Sequence, residues 1–347
     1  MSTLVGLWLV SLAICALALA IMLGLIIARR VSEFRAKSRQ EERRRLVPML
    51  LDPNPEPRPQ EVKPAPDLLA DLFTELIQMV RGTDREKFVA SSSRLGVPQR
   101  LRQRLDYGSP RIRLAAAEAL GDFDDEQSMA RLHSALDDPN EDVRLAAALA
   151  LAEAGHAPNA RLLVEKLGIG TSEHSMLVVG LFEDIARDRP EEVKAIVEAE
   201  DMPAGAKAAA IEALTASGDY SLVPIISRLV LAAGADAEEL PRYLQALGEF
   251  GHPAGARAVE HALGSPRAAV RAAAAEAAGR IVLGTSASRL AELLEDQDWW
   301  VRFRAGEALA RLGDEGQGLL RDLAEHGSEA ARETARLTLA ERGLVAI

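Results

Sequence analysis

Trp299 and Trp300, followed by Arg302 and Arg304, are the densest group of recognition-competent side chains in the sequence, and they include two of its three tryptophans. Tryptophan and arginine dominate the energetics of many protein interfaces, so this cluster points to protein binding. Catalytic chemistry finds less to work with. The six histidines, His133, His156, His174, His252, His261 and His326, are scattered, and none is followed by a glutamate. His156 and His252 each follow a glycine and read as turn residues. The single cysteine, Cys15, lies inside an apolar run, which leaves no thiolate pair for a metal or a disulfide. There is no glycine-rich phosphate loop and no Gly-x-Ser-x-Gly elbow. The expectation is therefore no catalytic residue, no metal ligand and no cofactor.

Two basic stretches offer a different chemistry. Arg29, Arg30, Arg35, Lys37, Arg39, Arg43, Arg44 and Arg45 face only three glutamates over residues 28–45, a net of +5. They are candidates for anionic lipid or an acidic partner. Arg81 to Arg113 holds a further local excess of +6. The remainder runs the other way: residues 46–347 carry a net −16. Phosphate neutralisation needs clustered Lys and Arg, so nucleic acid is not an expected partner.

The elements that position the tryptophans are repeated. Ser109-Pro110-Arg111-Ile112-Arg113-Leu114-Ala115-Ala116 returns as Asp138-Pro139-Asn140-Glu141-Asp142-Val143-Arg144-Leu145-Ala146-Ala147. It returns again as Ser265-Pro266-Arg267-Ala268-Ala269-Val270-Arg271-Ala272, and as Asp298-Trp299-Trp300-Val301-Arg302-Phe303-Arg304-Ala305. The apolar residue before the arginine marks 112, 143, 270 and 301, with weaker copies near 176, 206, 239 and 331. Steps of about 31 residues are the signature of a solenoid. Within each copy, Asp-Pro or Ser-Pro should open a second helix with proline at its first position. Apolar and alanine residues follow at helical spacing. Gly121, Gly155, Gly218, Gly251, Gly279, Gly313 and Gly343 fall where those helices should stop. The paired first helix is legible at Ser128–Leu136 and Ala287–Leu294.

The Asp…Val-Arg-x-x-Ala-Ala-x-Ala-Leu phrase resembles the HEAT repeat, especially the short bacterial form shared with the phycobilisome-lyase-like group. The resemblance covers residues ~95–343. It implies an α–α superhelix used as a binding scaffold. It also implies a ladder of hydrogen bonds between Asp and Arg six apart. Asp138/Arg144, Asp201/Lys207 and Asp296/Arg302 fit that pattern, whereas Ser265 stands before Arg271 and Tyr107 before Arg113. The His-Glu metal pattern of HEAT-like deoxyhypusine hydroxylases is missing. The acidic body argues against the basic, aromatic-lined face of HEAT-like DNA glycosylases.

Before the repeats the sequence changes character twice. Leu4 to Ile27 is 24 residues without a charge, a helix of ~36 Å against a hydrocarbon core of ~30 Å. Basic residues follow it and none precedes it, which places the N-terminus outside and the rest in the cytoplasm of the inner membrane. Ala16, Ala20 and Gly24 share one face of that helix at a spacing that suits a weak homodimer. Residues 46–66 contain seven prolines, which predict an extended, polyproline-like linker. The expected organisation is a transmembrane anchor over 1–28, a basic segment over 29–45, a Pro-rich linker over 46–66, a divergent helical cap over 67–94 and a HEAT solenoid over 95–347. The expected fold is all-α, an α–α superhelix preceded by one transmembrane helix. The expected function is a non-enzymatic, membrane-tethered scaffold for a membrane-associated protein partner; the alternative is a lyase-like or other modifying enzyme on the same repeat.

Overall fold

The computed structural model describes residues 66–170 and 176–343, together with 8, 22, 29–30, 40–44 and 46–50. Every regular element among them is helical. In order these are α1 (Pro66–Leu76), α2 (Thr83–Arg94), α3 (Val97–Tyr107), α4 (Pro110–Leu120), α5 (Glu126–Ala135), α6 (Glu141–Glu153), α7 (Ala160–Leu167), α8 (Met176–Asp188) and α9 (Pro190–Glu198). They continue with α10 (Ala204–Thr215), α11 (Leu222–Ala232), α12 (Leu240–Phe250), α13 (Ala256–Ala262), α14 (Ala268–Ile281), α15 (Ala287–Leu293), α16 (Trp299–Arg311), α17 (Asp314–His326) and α18 (Glu329–Glu341). Short 3-10 turns precede α13 and α15. This is the all-α, HEAT-like solenoid fold. The packing forms two units, 1–131 and 132–347.

In the first unit α1 packs on α3 and α4, and α2 on α3. Its core holds an aromatic cluster: Phe73 stacks on Phe88 at 5.4 Å between ring centres and meets Phe123 at 4.7 Å. Two helices, α1 and α2, occupy the stretch read as a divergent cap. Residues 46–50 are helical, Pro48 included, and Leu46 and Leu50 are buried. The extended linker therefore does not begin at 46; two leucines four apart make one apolar face, whose burial outweighs the amide that Pro48 lacks.

In the second unit the helices form two layers. The second helices α6, α8, α10, α12, α14, α16 and α18 contact one another in sequence, and α7, α9, α11, α13, α15 and α17 cover them. The later second helices pack through faces rich in alanine. On α14 the face is Val270, Ala274, Ala277, Ala278 and Ile281; on α16 it is Val301, Ala305, Ala308 and Leu309. These are the 3- and 4-residue steps that keep one helix face toward the core.

Glycine serves two purposes here, and the sequence reading merged them. Gly251 and Gly313 adopt positive φ after their helices, 62° and 72°. Gly279 instead lies inside α14, where a Cβ would fall 2.7 Å from the Ala308 Cα of α16. It marks the closest approach of two second helices, not a helix stop. The actual stop of α14 is Val282, the one non-glycine residue with positive φ (59°) among the described residues. It stands 31 residues from both Gly251 and Gly313. Proline also falls differently from the expectation in part. Pro110 is the first residue of α4, but Pro139 and Pro266 lie in the loops before α6 and α14.

No helix among the described residues is long and apolar enough to cross a membrane. Apart from Trp8 and Met22, the apolar run Leu4–Ile27, with Cys15, Ala16, Ala20 and Gly24, lies outside the described residues, as do Arg35, Lys37, Arg39 and Arg45.

Candidate protein-binding surface

The head of α16 is set by Asp298. Its carboxylate accepts hydrogen bonds from the amides of Trp300 (2.8 Å) and Val301 (3.2 Å), satisfying donors that a helix start leaves free. With Val301, Ala305 and Leu309 buried, the opposite side of the first turn must face outward. Trp299 is 48% exposed and Trp300 56%. Both are exposed although neighbouring residues on a helix point about 100° apart. They pack on each other, at 4.7 Å and 77° between ring planes. Phe303, one turn on, stacks under Trp299 at 5.2 Å and 10° and meets Trp300 edge-on at 5.9 Å. Three aromatic rings thus form a self-supporting knob. Sequence reading missed Phe303, although its position four residues after Trp299 places it on the same helix face.

Arg302 and Arg304 point away from that role. Arg302 turns back under the helix start, where its Nη1 donates to the carbonyls of Asp296 (2.9 Å) and Gln297 (3.0 Å). The same contact recurs from Arg144 to the Asp138 carbonyl (3.0 Å) and from Arg271 to the Ser265 carbonyl (2.9 Å). The six-residue ladder implied by the family resemblance is therefore made through a backbone carbonyl. The Asp side chain instead accepts from the amide two residues on, at 2.9 Å for both Asp138 and Asp296. Ser265 accepts from the Arg267 amide at 3.3 Å in the same way, which explains how a serine occupies that position. Asp201 departs from the pattern and pairs with Arg161.

A second rung joins consecutive repeats. Arg271 of one grips the Asp296 carboxylate of the next with Nε at 2.7 Å and Nη2 at 2.9 Å. Burial raises the Asp296 carboxyl, but the Arg271 guanidinium and the Asp298 amide outweigh it and hold it below the ordinary carboxylate value. The repeat after Arg302 brings Gly327 and Ser328 to the corresponding stretch, and the buried Arg302 Nε has no hydrogen-bond partner.

Arg304 belongs to a row of ion pairs across the second helices. It bonds Glu307 at 3.0 Å and reaches Glu276 on α14 at 3.4 Å. Glu276 also takes Arg280 (2.8 Å), and Glu307 takes Arg342 (3.2 Å). Its guanidinium carbon lies 5.8 Å from the Phe303 ring centre.

The other basic candidates are largely internal to the first unit. Arg85 pairs with Asp122, Arg100 and Arg104 with Asp67, and Arg102 with Asp125. Asp67 is held below its ordinary value, first by the Arg100 hydrogen bond. The local +6 of the sequence is thus answered by acids from outside it, and it is not a free basic face. Of the segment before residue 46, Arg29, Arg30, Arg43 and Arg44 are described and exposed, and Arg43 pairs with Glu75. No group of three His, Cys, Asp or Glu residues suited to a metal occurs among the described residues. A hollow of about 320 Å³ between α7 and α9 is lined by Asn159, Arg161, Glu192, Ile196 and Met202. Two of its charged groups are already engaged, Glu192 by the Ala160 amide and Arg189, and Arg161 by Asp201.

A family model supports the repeat class over part of the chain. Residues 98–171 and 229–310 match the family model for HEAT repeats. Among solved structures, a mutant form of Kap121p aligns at 13% identity over 79% of this chain and 37% of that one, with a TM-score of 0.46. Human deoxyhypusine hydroxylase aligns at 17% identity over 81% of this chain and 98% of that one, with a TM-score of 0.32. The CpcE–CpcF complex of phycocyanin lyase from Nostoc sp. PCC7120 aligns at 19% identity over 82% of this chain and 96% of that one, with a TM-score of 0.25. This chain therefore spans little more than a third of Kap121p. No curated protein matches the sequence.

Proposed function

We propose that this protein is a membrane-tethered cytoplasmic scaffold that binds a protein partner through the aromatic knob at the head of α16 and catalyses no reaction. The observation that carries this reading is that Trp299 and Trp300 are both exposed side by side on one helix and packed with Phe303 into a single cluster. Large rings left half in water give up apolar burial, and a partner that covers them recovers it. The rings are braced by one another and by Phe303, so little side-chain freedom is lost on binding. Tethering rests on the uncharged run Leu4–Ile27 and the basic residues that follow it, and the partner belongs to the same membrane.

Two experiments test the reading. A photo-crosslinking residue placed at position 300 should capture a discrete protein from detergent-solubilised membranes, while one at position 321, on exposed Arg321 of α17, should not. Equal, diffuse labelling from both positions argues against a dedicated surface. A reporter fused after Ile347 should be active only in the cytoplasm; periplasmic alkaline phosphatase activity from that fusion would reverse the topology.

A further inference from the structure

The aromatic knob lies in an acidic neighbourhood. From Ala291 to Trp300 the chain carries Glu292, Glu295, Asp296 and Asp298 and no basic residue. Two of these carboxylates are answered by cations, Glu292 by Arg289 and Asp296 by Arg271. The other two take backbone amides: Glu295 accepts from Ser328 (3.0 Å), and Asp298 from Trp300 and Val301. Neither forms an ion pair among the described residues. The Ser328 hydrogen bond holds the Glu295 carboxyl below its ordinary value, so it stays charged. One repeat on, Glu329 and Glu333 stand at the positions of Trp299 and Phe303, both exposed, with Arg332 the basic residue between them. Of the arginines nearest the rings, Arg304 is paired with Glu276 and Glu307, while Arg302, turned onto backbone carbonyls, sets one positive charge against the two carboxylates.

Exposed indole faces beside unneutralised carboxylates complement one kind of group. We infer that the knob docks a basic peptide segment of the partner, an Arg or Lys side chain lying across Trp299 or Trp300 with its charge toward Glu295 and Asp298. An indole face attracts a cation more strongly than any other side-chain ring, and Arg stacks on it as well. The net −16 of residues 46–347 acts in the same direction at longer range and speeds encounter with a cationic segment. An anionic lipid surface, the other usual destination of exposed tryptophan, is repelled by the same carboxylates. The inference rests on the protein-binding reading above and specifies the chemistry of the partner.

The test is a fluorescence-anisotropy titration of the full chain in non-ionic detergent. One labelled twelve-residue peptide carries four arginines among glycine and serine; a second has glutamate in place of arginine. The arginine peptide should bind and the glutamate peptide should not. Trp300→Ala should weaken binding at least ~10-fold. The double variant Glu295→Gln, Asp298→Asn keeps both amide acceptors and removes both charges; it should weaken binding about as much while melting at the parental temperature. Undiminished binding by that double variant overturns the inference. So does Trp300-dependent binding to phosphatidylglycerol vesicles without peptide binding. If position 300 crosslinks a membrane protein yet the arginine peptide does not bind, this inference fails and the protein-binding reading stands. If both are negative, both fail.

Discussion

At the scale of single residues the most exposed inconsistency is Val282. A β-branched residue in the left-handed region places its Cβ against the following carbonyl, a conformation that costs ~1–2 kcal/mol. The equivalent positions, Gly251 and Gly313, avoid that cost. Val282 is 59% exposed, so its side chain returns little through packing. Val282→Gly should therefore raise the unfolding free energy by about 1 kcal/mol, after allowing for the freer unfolded chain, as read by urea denaturation. No change or a loss would mean that the valine side chain has a partner of its own. Asp296 gives a pH signature. Its folded-state pKa lies below the ordinary value, so the folded state favours the charged form. That contribution is complete above about pH 4 and is lost as the pH falls through the depressed folded value. Asp296→Asn should flatten the acid limb of a melting-temperature profile while lowering the neutral-pH plateau. Val282 was not legible in the sequence. A glycine three residues earlier, Gly279, offered a better local stop signal, and only the contact with Ala308 shows why that glycine belongs inside the helix. The carbonyl-directed arginines were half legible: their six-residue spacing is plain in the sequence, but which atom they address depends on how the loop folds.

At the scale of elements, the later second helices pack through small residues, and that packing makes Gly279 a strict requirement. A Cβ there would sit 2.7 Å from the Ala308 Cα and 2.9 Å from its Cβ. Both neighbours are fixed on a helix and cannot rotate aside. Gly279→Ala should lower stability by ~1–3 kcal/mol, the cost of forcing two helices apart, even though alanine is the better helix former by ~1 kcal/mol. A stabilised variant on thermal melting would show that α14 and α16 have room to spare. Most helices at this level were readable in advance. The marks at 112, 143, 206, 270, 301 and 331 all fall two residues into α4, α6, α10, α14, α16 and α18. Local repetition fixes them, because each copy carries its own apolar register, and α6, α16 and α18 a side-chain cap as well. The start of the linker misled because proline content outweighed a two-leucine face in the reading, and the structure resolves the contest the other way at 46–50. Phe303 escaped notice because it sits where the other strong copies have Leu or Ala. Its meaning comes only from the ring stack it completes.

At the scale of the whole molecule, the sequence announces a repeat protein with a distinct apolar N-terminal run, and its family match lies within the repeats. Repeat architectures bury each unit against its neighbours, so a surface ring can be changed without emptying a core. That separation between stability and recognition is the central claim, and Trp300→Ala measures it directly when melting and partner capture are recorded on the same preparation. The truncation removes ring contacts with Trp299 and Phe303 worth ~0.5–1.5 kcal/mol, so the melting temperature should fall by a few degrees at most. Capture of the crosslinked membrane partner should fall about 30-fold, the equivalent of ~2 kcal/mol for an interface anchor. Undiminished capture together with a loss of stability of ~3–5 kcal/mol, the cost of emptying a buried tryptophan site, would contradict the account.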